Sequence, residues 1–445
     1  DAMAGAIEDE VSGSVAIGAS ALRAITTGAK NIAIGKSAML SATLSTNSIA
    51  IGHEAMDAMV GDDATNAGTH NIAIGTDAMG TYNGGTHDDS AIDGNVCIGT
   101  NAGLGGNFSG NSRLASQNVV IGYNAMDGSG AYNSYYNVYV GGDAGGGSYA
   151  GGDNYENVGV GWGVMNGAQN SCRGNTAMGY LSGAALTTGQ FNVVVGHNAG
   201  NDLTASDNNV VIGSTALRYA TTDAHNNIAI GSSAMGGNWT TADVNNCTVI
   251  GYSAMSGVLQ TGASGNVAIG YNSLGNITSG GGNTGIGFDT GSTNQTGANN
   301  TYVGYQSGKG GSGSESNNTA VGKDALLAVT TGSENVAIGY LALDALQATN
   351  SNVAIGSGAL SASTNGHNNV VIGADCGDDA TDVGYAVIIG NGAGSAALDN
   401  NADGTVLIGG SAGAALTSGA QNIAIGYQAL MENTTGRRNI AIGYG

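Results

Sequence analysis

The chain has 445 residues, of which 81 are glycine and none is proline, and its formal net charge is -22 from 32 acidic and 10 basic side chains. Collagen is excluded because it needs glycine at every third position together with abundant proline. The acidic balance argues against nucleic acid as a partner, and no apolar run approaches the length of a membrane span. Simple disorder is disfavoured because 41% of the residues are hydrophobic.

One motif recurs from end to end: Asn-(Val/Ile)-x-(Ile/Val)-Gly-x-x-Ala-(Leu/Met/Gly). There are 24 copies, and 12 of the 23 intervals between motif glycines are 17 residues long. We number each copy from its glycine, which is position 0, and use the word rung for one copy. The clearest copies contain Asn31 and Gly35, Asn118 and Gly122, Asn335 and Gly339, and Asn422 and Gly426.

The three residues before the glycine are predicted to form a short strand. Position −3 is Val, Ile or Thr in every copy, and position −1 is Ile or Val in 23 of 24. Position −2 is Ala in 12 copies and is never charged and never an amide. Because side chains alternate along a strand, we expect positions −3 and −1 to fill the interior and the small position −2 to face outward onto an interface.

The residues that flank this strand predict ladders and bends. Position −4 is Asn in 19 of 24 copies, which predicts amide ladders between rungs and an Asn in the left-handed conformation. The glycine is expected at a bend where positive φ or close backbone approach excludes a Cβ. The apolar pair at positions +3 and +4 predicts a second short strand, and turns such as residues 26–28 close the coil.

The sequence therefore predicts an all-β protein, a parallel β-solenoid or β-roll of about 24 rungs with a modal length of 17 residues. At the usual strand spacing, these rungs would stack into a rod on the order of 110 Å long. Both ends fall inside a repeat, so residues 1–445 are interpreted as one repetitive segment of a longer fibre, with longer loops over residues 53–122. Packing against two other copies of the chain around a threefold axis would bury the outward-facing position −2, so we expect a parallel homotrimer.

These Asn-Val-Ala-Ile-Gly-x-x-Ala repeats resemble the head domain of trimeric autotransporter adhesins, which form trimeric left-handed parallel β-rolls. The 17-residue copies, such as the one from Asn422, are similar to repeats in phage tail-fibre proteins. The period is longer than in autotransporter heads, and no coiled-coil stalk or membrane anchor is apparent, so a structural and adhesive phage tail fibre or extracellular shaft is favoured. A bacterial surface adhesin head is the alternative, and a glycan-cleaving β-helix or an ice-binding solenoid is less favoured.

An aromatic residue follows the motif glycine in 10 of 24 copies. These rings either stack on the sugars of a cell-surface receptor or cover the turn and pack on their neighbours. The candidate receptor contacts are Tyr123, Trp162, Tyr252, Tyr271, Tyr305 and Tyr340. A second cluster, whose role stays open, contains Tyr132, Tyr135, Tyr136, Tyr139, Tyr149 and Tyr155.

The long loops carry acidic and histidine side chains that are weak candidates for a Ca²⁺ site or a receptor-binding projection, although solvated loop tips are the favoured interpretation. They are Asp62, Asp63, His87, Asp88 and Asp89. No EF-hand or related calcium-binding spacing is present, and no other cofactor is expected. The four cysteines lie in different positions at least three rungs apart, which predicts no intrachain disulfide, and their spacing does not suggest zinc.

No enzymatic activity is expected. Glycan-cleaving β-helices need paired carboxylates in a groove, whereas Glu is scarce here and the acidic residues scatter over loops. The expected partners are other copies of the chain and a cell-surface receptor such as a glycan. The expected location is extracellular, on a virion tail fibre or a cell surface.

Overall fold

A computed structural model describes residues 2–3, 12–58, 68–80, 92–103, 115–128, 133–147, 151–220, 224–238, 243–311 and 313–445. The chain forms two compact units, Asp1–Asn226 and Asn227–Gly445. The same rung is repeated in both units, and each unit is described by itself.

The first unit contains eleven three-residue strands that form one parallel stack, and three two-residue strands, β6, β8 and β10, that form a second parallel sheet beside it. In chain order, strands β1 to β14 are Val15–Ile17, Ile32–Ile34, Ile49–Ile51, Ile72–Ile74, Val96–Ile98, Ala115–Ser116, Val119–Ile121, Ser134–Tyr135, Val138–Val140, Asn154–Tyr155, Val158–Val160, Thr176–Met178, Val193–Val195 and Val210–Ile212.

The second unit contains thirteen three-residue strands in one parallel stack and a short 3-10 turn at Asn400–Ala402. Strands β15 to β27 are Ile228–Ile230, Thr248–Ile250, Val267–Ile269, Thr284–Ile286, Thr301–Val303, Thr319–Val321, Val336–Ile338, Val353–Ile355, Val370–Ile372, Val387–Ile389, Val406–Ile408, Ile423–Ile425 and Ile440–Ile442.

Neighbouring rungs pair in register within each unit. Val336 lies opposite Val353 and Ile338 opposite Ile355, so identical motif positions form columns along the stack. Backbone bonds extend in both directions, since the Val336 amide donates to the next rung and the Gly339 amide to the preceding one, both at 2.8 Å. Proline has no amide hydrogen to donate in such a stack. The predicted all-β parallel solenoid is confirmed.

The predicted direction of the strand side chains is wrong. Position −2 faces the interior, where Ala33 and Ala337 are completely buried, whereas positions −3 and −1 face outward and are half-buried or exposed. Ile338 keeps 37% of its surface exposed beside the buried Ala337. Both strand faces are apolar, so alternation of polarity carried no information about which face is inside.

Positions −2, +3 and +4 line the interior, and the volumes at positions −2 and +4 compensate. Among the 23 complete copies, 13 have Ala or Gly at position −2, and 11 of these have Leu or Met at position +4. The other 10 have a larger residue at position −2, and 7 of them have Gly at position +4. At Gly413 an added Cβ would lie 2.7 Å from Leu407 of the same rung, which shows that the two positions share one space.

The segment after the glycine is a turn and not the expected second strand. Positions +2 and +4 have positive φ, as at Ser37 (60°) and Met39 (52°), which is incompatible with a strand. The left-handed conformation thus recurs at Leu and Met, residues that disfavour it, and Gly replaces them only in some copies. Burial of these Leu and Met side chains in the coil interior offsets the backbone strain.

Both physical reasons given for the glycine at position 0 hold. Gly35, Gly122, Gly339 and Gly426 have φ between +131° and +147°. At each of them, an added Cβ would overlap the carbonyl oxygen of the next rung's glycine. Any larger residue would therefore be strained and would also push two rungs apart.

The asparagines at position −4 form the predicted amide ladder. They do not have the expected left-handed backbone conformation, which is found instead at the residue before them, as at Lys30. Asn118 is buried, and its Nδ2 donates to the Oδ1 of Asn95 at 3.0 Å and to the Ser134 carbonyl at 2.8 Å. In the first unit the ladder is unbroken from Asn71 to Asn209. Asn335 and Asn422 are members of the same column in the second unit.

Candidate functional site

The outward strand face is an apolar, partly exposed surface in each unit. In the second unit, 22 of the 26 side chains at positions −3 and −1 are Val or Ile, and the other four are Thr. None of them is charged. Because the coil interior is already filled by other positions, these side chains are not needed for the core of a single coil. An uncharged, partly exposed stripe of this kind is typical of an interaction surface.

The aromatic residues at position +1 form a stack on the surface of the second unit. Neighbouring ring centroids are 5.4 Å apart for Tyr252 and Tyr271, 4.9 Å for Tyr271 and Phe288, and 5.3 Å for Phe288 and Tyr305. Lys323 continues the column, with its Nζ 5.8 Å from the Tyr305 ring and 5.1 Å from the Tyr340 ring.

This stacking changes what the surface offers to a ligand. The interplanar angles are 8° to 10°, so each inner ring has its faces covered by neighbours and presents its edge to solvent. A sugar that stacks on an aromatic face therefore has no free face along the inner part of the column. Packing on neighbours, one of the two alternatives for these rings, is what the structure shows, while receptor contact stays a prediction.

The first unit has a shorter column of the same kind. Trp162 stacks on Tyr180 at 5.2 Å, and Tyr180 stacks on His197 at 5.2 Å. Tyr123 is 61% exposed and makes no ring stack among the residues that the structure describes. Of the six candidate receptor contacts, Tyr123 thus has the most accessible ring.

The second tyrosine cluster divides between the interior and the surface. Tyr139 is at position −2 and is fully buried, with its hydroxyl donating to Gln169 Oε1 at 3.1 Å. Tyr135 and Tyr155 lie in the small sheet and stack at 4.9 Å, and Tyr136 packs edge-on against Tyr135. The other two members, Tyr132 and Tyr149, lie outside the described residues.

The loop residues proposed for calcium, Asp62, Asp63, His87, Asp88 and Asp89, also lie outside the described residues. Within the described part, His53, Glu54 and Asp77 each offer one ligand atom, and these atoms lie within 4.8 Å of one another. The three side chains are exposed or half-buried. Burial, followed by the charges of Glu54 and Asp77, raises the pKa of nearby Asp57.

One carboxyl group lies inside the second unit. Glu315 is fully buried, and neither of its carboxylate oxygens has a hydrogen-bond partner among the described residues. Burial raises the pKa of Glu315 to about 7. Burial also raises the pKa of Tyr302 well above its usual value, with a further contribution from Glu315. A buried carboxyl that is easier to keep neutral than to ionise was not anticipated from the repeat pattern.

The four cysteines are free and buried, in agreement with the prediction that their spacing allows no intrachain disulfide. Burial raises the pKa of Cys97, Cys172 and Cys376 to about 12 and that of Cys247 to about 11. Their thiolates are therefore scarce at neutral pH, and the thiols behave as small buried side chains.

Among the described residues, no helix has the length and apolar character required to cross a membrane. No protein-family model matches the chain. A comparison with curated proteins likewise found no match.

Proposed function

We propose that the chain is a structural and adhesive fibre segment, the repetitive shaft of a phage tail fibre or of a similar extracellular appendage, and that it has no enzymatic activity. In-register backbone hydrogen bonding within each unit makes a stiff spacer, since successive rungs are bonded to each other along the stack. The surface stacks and the loops of variable length are the parts that contact a receptor.

The observation that carries this proposal is the outward Val and Ile face. Fully burying one such side chain removes roughly 60–120 Å² of apolar surface, so 26 half-buried or exposed side chains leave on the order of several hundred Å² in the second unit. That is near the area of about 800 Å² that each partner contributes to a standard protein interface. The occupant that we propose is another copy of the chain in a parallel homotrimer, because identical columns then meet along the whole face.

The residues that pack between the copies differ from those first expected. The small position −2 belongs to the interior, and the β-branched positions −3 and −1 take its place at the proposed interface. Trimerisation is supported by the resemblance of the repeat to trimeric fibrous heads and by the absence of charge on this face. That resemblance also keeps a bacterial surface adhesin head as the second candidate.

The two candidates differ in where the fibre is attached. An antibody raised against the chain, coupled to gold and viewed by electron microscopy on native particles, should label fibres that project from virion tails. Gold on fibres that project from cells would select the adhesin head. Gold confined to the cytoplasm would contradict both candidates.

A further inference from the structure

The first unit has a cavity of about 540 Å³ beside the small parallel sheet that holds Tyr155. Gly151 and Gly152 lie along one side, in the 20-residue rung that ends at Gly161. An added Cβ at Gly152 would overlap the Ser171 hydroxyl, so these two lining residues pack in close contact and only glycine fits at position 152. The remaining lining comes from polar side chains of consecutive rungs.

Arg173 lines the cavity and is held in place before any ligand arrives. Its guanidinium carbon lies 4.9 Å from the centroid of the Tyr155 ring and 5.3 Å from that of Phe191, so the group is sandwiched between two rings. Glu156 Oε2 lies 3.5 Å from its Nε. The two terminal nitrogens have no hydrogen-bond partner among the described residues. A planar donor fixed in this way loses little freedom when it binds.

Two other lining side chains can also form hydrogen bonds with a ligand. Asp153 supplies acceptors, and Gln190 supplies both an acceptor and a donor. Neither side chain hydrogen-bonds to another described residue. The cavity thus combines a fixed fork of donors, a carboxylate and an amide among its lining groups.

The chemistry of the lining selects a class of ligand. An apolar ligand would leave the polar groups unpaired. A strongly anionic ligand is disfavoured because Asp153 and Glu156 outnumber Arg173 locally and the chain carries a net charge of -22. A neutral molecule with several adjacent hydroxyl groups can donate to Asp153 and accept from Arg173 and Gln190 at once.

We propose that this cavity binds one neutral sugar residue of a cell-surface glycan. The proposal rests on the adhesive role given above and assigns that role to a site. Tyr155 has one face on Tyr135 and the other on Arg173, so the sugar is held by hydrogen bonds and not by stacking on this ring. This distinguishes the cavity from the surface stacks.

Saturation-transfer NMR tests the assignment on the full chain with four probes: lactose, maltotriose, diacetylchitobiose and sialyllactose. We expect at least one neutral probe to bind. Asp153→Asn and Arg173→Lys should each raise its dissociation constant about tenfold, because each removes hydrogen bonds to a charged group. The matched substitutions Asp382→Asn and Arg438→Lys, at residues of the second unit that form exposed side-chain hydrogen bonds, should leave it unchanged.

Binding that is equally strong in the cavity variants overturns the assignment, as does binding of sialyllactose alone or of no probe. Circular dichroism of each variant establishes that the solenoid is retained. Gold labelling of fibres does not depend on sugar binding. Labelled fibres without sugar binding therefore overturn the cavity site and leave the proposed function standing.

Discussion

Tyr302 and Tyr305 are three residues apart in one rung of the second unit, yet they lie in opposite environments. Tyr302 is fully buried at position −2, and an added Cβ at Gly291 would lie 2.8 Å from its ring. Tyr305 is 45% exposed at position +1 and lies between Phe288 and Lys323. The interior accepts a large ring only where neighbouring residues are small, whereas the surface needs only a ring at the same position in successive rungs.

The largest loss of stability is expected when a side chain is added at the glycine of position 0. Gly270→Ala places a Cβ against the Gly287 carbonyl oxygen at a φ of +130°, so we expect a loss of at least about 4 kcal/mol of unfolding free energy. Gly443→Ala is the matched control, because its φ is +147° and no atom lies within 4 Å. It should cost only the backbone strain, about 1–3 kcal/mol. Equal losses in urea titrations would contradict the close approach between rungs.

Volume compensation predicts a pair of substitutions that rescue each other. Ala337→Leu overfills the coil and should cost about 1–3 kcal/mol, and Leu343→Gly alone leaves a cavity that should cost about 2–5 kcal/mol. The double variant reproduces the natural pair of Leu407 and Gly413 and should recover most of the stability. Urea titration of all four proteins gives the coupling energy, and strictly additive losses would show that the two positions do not share a space.

The buried carboxyl of Glu315 predicts that the free energy of unfolding depends on pH, an effect not expected from a surface carboxyl. Because the pKa of Glu315 is raised from 4.5 to about 7 in the folded state, the unfolded chain releases this proton first as the pH rises. Stability should fall by up to about 3 kcal/mol between pH 4.5 and pH 7 and then level off. Glu315→Gln should remove this fall and Glu334→Gln, at a residue that bonds Ser351 on the surface, should not. Identical pH profiles for all three proteins in urea titrations would exclude the effect.

The smallest effect is expected at the surface stack. Tyr305→Ala removes one ring contact with Phe288 and one with Lys323, and we expect a loss of about 1 kcal/mol. Tyr302→Ala, in the same rung, should cost about 3–5 kcal/mol because it leaves a cavity. Thermal or urea unfolding that ranks the two variants in the opposite order would contradict the assignment of inside and outside.

Periodicity alone was enough to predict the parallel solenoid, the role of the glycine and the amide ladder, because those features repeat at fixed spacing. The direction in which the strand side chains point was predicted wrongly because both faces of the strand are apolar. A usable signal was present: Gly at position +4 accompanies large residues such as Tyr139 and Leu407 at position −2. The left-handed Leu and Met at position +4 were not foreseeable from propensity, which disfavours them.

The candidate sites were less predictable for a different reason. The aromatic column at position +1 follows from the repeat, but the mutual covering of its faces depends on side-chain orientation. The cavity at Arg173 depends on irregular rungs, where residues that are distant from the motif come together. Glu315 occupies a loop position where Gly297 and Gly332 stand in the neighbouring rungs, so no pattern marked it as buried.

Native mass spectrometry tests most directly the claim that the outward Val and Ile face joins copies of this chain. The wild-type protein should have three times the chain mass of 43.3 kDa. The double variant Ile338→Asp and Ile355→Asp should have the mass of one chain with its circular dichroism unchanged, whereas Tyr340→Asp should remain trimeric. A wild-type protein that is stable as a single chain at micromolar concentration, or a double variant that still forms trimers, would contradict the account.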